Sequence, residues 1–273
     1  MQTMERRTVA PVHGRSRRPA PWPVEFYRSA VGKKWVMALT GIMLMGYVFA
    51  HMVGNLKLFM GAEDINHYGE FLRELLVPIL PRTVTLWLLR LGLIAAFVFH
   101  IHAAASLTIT NRRARAEGGY VTKRDYQVAN AASRSMRLTG VVILLFLIWH
   151  LADLTWGTVN PDYVRGDVYR NVVASFERPA VSAIYIVANI ALGIHLFHGS
   201  WSLFQSLGLN NPRWNSWRRS FAAGFAGIVM VGNLSFPIAV LTGVISADDN
   251  PDCTVSGDVI EGCTDYEAEG AES

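Results

Sequence analysis

Charge is scarce in this chain of 273 residues: Asp, Glu, Lys and Arg together make up only 17%, where a soluble domain carries about a quarter. The shortage excludes an ordinary water-soluble globule, because the apolar residues, 51% of the total, gather in long uncharged blocks. Cysteine is almost missing. Cys253 and Cys263 are the only two, so the fold is no disulfide scaffold. No dinucleotide fingerprint, phosphate loop or nucleophile motif occurs in a suitable context. Flavin or nucleotide chemistry is therefore not expected within this chain. No internal repeat is evident. A cleavable signal peptide is not expected either, since the first apolar run starts near Trp35, after a polar arm, and is too long for one.

What is present is a set of five apolar segments: Trp35–Leu56, Leu91–Asn111, Leu138–Ala152 with an extension toward Trp156, Pro179 to beyond Leu207, and Phe221–Ala247. Most reach the roughly 20 residues that a helix needs to cross a bilayer. The expected fold is all-α: a polytopic bundle of five transmembrane helices over residues 35–247. A basic arm (1–34) precedes it and an acidic tail with the two cysteines (248–273) follows. The third segment is the weakest, because Asp153 interrupts its end. Basic residues cluster before the first segment (Arg28, Lys33, Lys34), after the second (Arg112, Arg113, Arg115) and after the fourth (Arg213, Arg218, Arg219). The alternation predicts a cytoplasmic N-terminus and an extracytoplasmic C-terminus. The net charge of +4 thus reflects topology rather than nucleic-acid binding. Glu70, Phe71 and Leu75 suit a surface helix on the outer interface.

Six of the eight histidines lie within apolar segments: His51, His100, His102, His150, His195 and His198. Ionisable groups inside a bilayer are costly and mark function, although a lone histidine often only bonds a neighbouring helix. Here the depths pair. His51 and His150 sit near the outer ends of the first and third segments. His102 and His198 each sit about nine residues, roughly 13 Å, from the inner ends of the second and fourth. Two opposed pairs, one per leaflet, suit bis-histidine ligation of haem. Gly46, Gly54, Gly140 and Gly193 are candidates for close approach of a macrocycle. Spacing does not choose between His100 and His102, or between His195 and His198.

The stretch Arg28-Ser-Ala-Val-Gly-Lys-Lys-Trp-Val-Met-Ala-Leu-Thr-Gly41, followed by His51-Met-Val-Gly-Asn55, resembles the start of the single-subunit cytochrome b anchor of succinate dehydrogenases and fumarate reductases. Asn66 and Tyr68, His102-Ala, Trp149-His150-Leu and His198-Gly-Ser continue the likeness to about Phe236. The resemblance implies a multi-pass protein of the bacterial cytoplasmic membrane that binds a flavoprotein subunit and an iron–sulfur subunit on the cytoplasmic side. It implies that electrons from succinate reduce a quinone, menaquinone or ubiquinone. It also implies b-type haem, with His102 and His198 on the inner haem and His51 and His150 on the outer one; His100 and His195 leave the inner assignment open.

A quinone needs an apolar slot with a few polar groups. Arg28, Ser29, Lys33 and Trp35 offer one on the inner side. Asn55, Tyr68, Glu70 and Asp153 offer another beside His51 and His150, where Glu70 or Asp153 would exchange protons. Cys253 and Cys263 arrive on that outer side. With two histidines they match the ligand set of a Rieske-type [2Fe–2S] centre in place of haem; a disulfide or free thiols are the ordinary alternative. A competing function is a membrane transporter whose histidines handle protons or a metal, but that reading leaves the paired depths unexplained.

Overall fold

Ser29 sets where the first crossing begins. Its hydroxyl donates to the Phe26 carbonyl (2.7 Å) and accepts from the Gly32 amide (2.9 Å), so one side chain closes a short helix, α1 (Trp22–Arg28), and opens a long one, α2 (Ala30–Asn55). A Cβ on Gly32 would collide with the Phe26 carbonyl, which lets α1 fold back against α2. The crossing therefore starts at Ala30, inside what the sequence suggested was a basic arm ending at residue 34. The computed structural model describes residues 20–117, 127–209, 211, 213, 215–247, 254–256 and 259–261, with the side chains of 115–134 outside that description.

The all-α expectation holds, with five helices long and apolar enough to cross a membrane. After α2 and a 3-10 turn (Leu56–Met60) come α3 (Ala62–Arg73), α4 (Val84–Glu117), α5 (Gln127–Leu154), α6 (Val168–Phe176), α7 (Pro179–Ser206) and α8 (Asn215–Leu241). A small antiparallel hairpin pairs Thr254–Ser256 with Val259–Glu261 in the tail. Cys253 and Cys263 lie outside the described residues. The apolar spans are Ala30–Met60, Val84–Ala114, Ser135–Leu154, Pro179–Ser206 and Asn215–Leu241. Leu88, Leu91, Val98, Leu145, Val187 and Val231 are each more than half exposed, as side chains facing lipid are expected to be.

Packing joins the helices in couples. α2 lies against α4, α5 against α7, and α8 covers α7; α2 also meets α7 and α8. The α1 end of the bundle gathers the starts of α2, α5 and α8 and the ends of α4 and α7. The opposite, α6 end is capped by α3 and α6. There the largest buried cluster forms from Met52, Leu58, Ile65, Tyr169, Phe176 and Tyr185 with their neighbours.

Asn66 joins the two capping helices. Its Oδ1 accepts from the amides of Val168 (2.8 Å) and Tyr169 (3.1 Å), and its Nδ2 donates to Asp167 (3.1 Å). Asp167 in turn accepts from the Arg170 amide (3.0 Å). Together they satisfy the free amides at the start of α6. Asn66→Ala should lower the thermal midpoint of the purified protein, equivalent to about 1–3 kcal/mol for buried groups left unpaired. An unchanged midpoint would show that the cap does not depend on this residue.

Candidate cofactor-binding histidines

Two threonines decide which nitrogen of two histidines stays free. On α2, Thr40 Oγ1 gives its single proton to the Val36 carbonyl (2.6 Å). The hydroxyl can then only accept from His100 on α4, whose Nδ1 lies 3.3 Å away. The same nitrogen is 3.1 Å from the Met37 carbonyl. Both neighbours accept, so Nδ1 carries the ring proton and Nε2 keeps its lone pair. On α5 and α7 the arrangement recurs. Thr139 Oγ1 donates to the Ser135 carbonyl (2.7 Å), His195 Nδ1 lies 3.1 Å from that hydroxyl, and the ring also bonds the Met136 backbone. Gly41 and Gly140 follow the threonines and lie against the two rings. His100 and His195 are close enough to interact electrostatically.

The couples α2/α4 and α5/α7 therefore echo each other. Met37, Leu39, Thr40 and Gly41 correspond to Met136, Leu138, Thr139 and Gly140, and His51 and His150 follow at the same offset. The match is confined to these few positions, which is why no repeat registers along the chain.

His51 and His150 meet near the α6 end, with ring centroids 6.0 Å apart and planes at 85°. Tyr47 stacks on His51 at 5.5 Å. His150 Nδ1 is 3.3 Å from the Tyr185 hydroxyl. Among the described residues no three His, Cys, Asp or Glu side chains converge on one point. The histidines form pairs, and a group ligated from two opposite sides fits pairs.

His102 and His198 sit differently. The Tyr27 hydroxyl on α1 lies 2.5 Å from His102 Nδ1, and the two rings stack at 5.7 Å. His102 thus ties α1 to α4. His198 packs on Phe197, and its buried Nδ1 has no hydrogen-bond partner among the described residues. Two of the glycines read as openings for a macrocycle serve helix packing instead. A Cβ on Gly54 would meet Tyr68 at 2.7 Å, and one on Gly193 would meet Met230 at 2.8 Å. Of the four candidates only Gly46 faces open space, Gly140 lying against His195.

The candidate quinone residues divide. Ser29 is engaged as a cap, while Arg28, Lys33 and Trp35 surround the α1–α2 corner, Trp35 being exposed. Glu70 does lie on a surface helix, with Phe71, but it is paired with Arg73 and Arg82; Leu75 falls beyond the helix end. Asp153, expected to exchange protons at an outer quinone slot, is fully buried. It accepts from Arg178 Nη2 (2.8 Å), the Tyr185 hydroxyl (2.9 Å) and the Ser175 hydroxyl. The physical reason is α6, which folds over the end of α5 and covers it. Sequence reasoning missed Tyr27, Tyr185, Thr40, Thr139 and Arg178. For the threonines a signal existed in the repeated Met-x-Leu-Thr-Gly. For Tyr27, between Phe26 and Arg28, and for Tyr185, within an apolar run, there was none.

The family described as succinate dehydrogenase/fumarate reductase transmembrane subunit matches residues 112–234, from the end of α4 into α8. The chain is also similar to the succinate dehydrogenase cytochrome b558 subunit of Bacillus subtilis (strain 168), at 25% identity over 178 residues, 64% of this chain and 80% of that one. No solved structure matches. Both likenesses are to subunits of succinate dehydrogenases or fumarate reductases.

The buried ion pair offers a stability test. Arg178→Met leaves Asp153 without its cation and should cost about 3–5 kcal/mol, read as a lowered thermal midpoint. Adding Asp153→Asn should restore part of the loss. A single variant as stable as the parent would mean that the pair holds nothing together.

Proposed function

We propose that this relative of complex II membrane anchors carries electrons from an iron–sulfur subunit, docked with its flavoprotein at the α1 end, to a quinone in the bilayer. What carries the reading is the pairing of histidines with free Nε2 atoms across the bundle, in a chain similar to a protein named a cytochrome b558 subunit. His100 with His195 would hold one b-type haem, and His51 with His150 a second. Bound there, haem supplies one-electron carriage between the two ends of the bundle. The chain's part is to aim the imidazoles. Thr40, Thr139 and the Met37 and Met136 backbones fix the tautomer and ring direction, as outer partners of metal-ligating histidines do. This reading exchanges His102 and His198, the inner ligands implied by family resemblance, for His100 and His195.

The α1 end is the cytoplasmic one in this proposal. It carries Arg28, Lys33, Lys34, Arg112, Arg113, Arg213 and Arg219, whereas Arg73, Arg82 and Arg178 at the α6 end are paired with Glu70 and Asp153. The excess of cations favours the inner face. The quinone slot is proposed at the same end. Tyr27 and His102 present a hydrogen-bonded, exposed couple there, beside the corner that holds Arg28, Lys33 and Trp35. At the other end Glu70 and Asp153 are already engaged in ion pairs.

A dithionite-reduced minus oxidised visible spectrum of the purified complex tests the proposal. A sharp α-band is expected. It should lose one component in His100→Ala or His195→Ala, and keep both in His102→Ala or His198→Ala. Loss of haem in His102→Ala would return the ligand role to that residue. A featureless haem region, with a [2Fe–2S] signal that disappears in Cys253→Ala or Cys263→Ala, would replace haem by the Rieske-type alternative.

A further inference from the structure

Asp153 is the most deeply buried carboxylate among the described residues, at 0% exposure. Four segments converge on it. It lies on α5, Ser175 on α6, Arg178 immediately before α7, and Tyr185 on α7. An ion pair alone would account for Arg178, and the Arg178 guanidinium also reaches the Val159 carbonyl (2.8 Å), fastening the loop. It would not account for Tyr185. That ring is locked edge-on between Phe146 at 5.0 Å and Phe176 at 4.8 Å. Its hydroxyl stands between the carboxylate, at 2.9 Å, and His150 Nδ1, at 3.3 Å.

A phenol has one proton to give. The carboxylate is the stronger and nearer acceptor, so the proton goes to Asp153. The hydroxyl oxygen is then left to accept, and what it accepts is the Nδ1–H of His150. Carboxylate, phenol and imidazole form a directed chain that ends in a bare Nε2 near His51. We propose that Asp153 acts through Tyr185 as a positioning pair for His150: it fixes the ring's tautomer and strengthens the electron donation of its Nε2. The proposal rests on reading His51 and His150 as a ligand pair.

The two ends of the bundle then differ electronically. His100 and His195 lean on neutral oxygens, a threonine hydroxyl and a backbone carbonyl each. His150 leans on a phenol backed by a charge. The phenol's bond to the carboxylate is charge-assisted, roughly twice as strong as a neutral one, and it polarises the phenol oxygen into a better acceptor for His150; such outer partners raise ligand basicity. A more basic imidazole favours the oxidised form of a bound metal. The α6-end centre should therefore have a lower potential than its ligands alone would set.

Potentiometric titration of the visible spectrum of the intact complex, with low-spin electron paramagnetic resonance alongside, tests this. Tyr185→Phe keeps the ring packing and removes only the hydroxyl. It should move the midpoint of the α6-end component to more positive values, shift its g-values, and leave the α1-end component in place. Asp153→Asn should shift the same component in the same direction. Ser175→Ala removes a donor from the same carboxylate without touching Tyr185, and should lower thermal stability with no positive shift. An unchanged midpoint in an assembled Tyr185→Phe complex overturns the proposal. So does an equal shift of both components, or a Tyr185→Phe chain that no longer assembles, which would make the hydroxyl a structural group. A parent complex without a reducible haem component rejects the ligand reading itself, and that result is visible before any Tyr185 variant is made.

Discussion

Within the apolar layer of a bilayer no water is at hand for an imidazole, so the N–H of a ring has to find its acceptor inside the bundle. In this chain the partners are supplied by the neighbouring helix. The Thr40 and Thr139 hydroxyls, each already committed to a carbonyl one turn back, turn toward the rings of His100 and His195 as acceptors. The Tyr185 hydroxyl does the same for His150. Once one nitrogen is satisfied in this way, the other is left bare. The need to satisfy polar groups and the display of free ligand atoms are one and the same arrangement.

The helix couples follow from it. α2 carries Thr40 and meets α4, which carries His100; α5 carries Thr139 and meets α7, which carries His195. Each couple contributes a threonine, a glycine beside a ring, and a further histidine at the same offset. The two copies are not electrically equivalent. Asp153 and Arg178 break the symmetry at the α6 end, where a capping helix covers the carboxylate and excludes solvent from it. The α1 end stays open and basic, with Tyr27 and His102 at its surface.

Much of this was legible in the residues. Five uncharged runs are enough to name five crossings, because a helix is the only way for a single apolar strand of chain to satisfy its backbone in lipid. Their ends were less legible. α2 begins at Ala30 because Ser29 caps it, and α4 begins at Val84 although Arg90 lies inside the apolar span. Which of two neighbouring histidines a threonine holds was not legible at all: His100 and His102, like His195 and His198, differ by less than one helical turn, and only the fold brings Thr40 to His100 and Thr139 to His195. Asp153 was misread for the same kind of reason. A carboxylate at the end of an apolar run looks interfacial until α6 and Arg178 are seen to close over it.

The account stands on which histidines face each other around a bound group. The most direct measurement is a cryo-electron-microscopy map of the intact complex in lipid, sharp enough to locate iron. Planar density is expected between His100 and His195, and again between His51 and His150, each iron bonded to Nε2. Density between His102 and His198, or a compact cluster beside Cys253 and Cys263 in place of planar density, would contradict it.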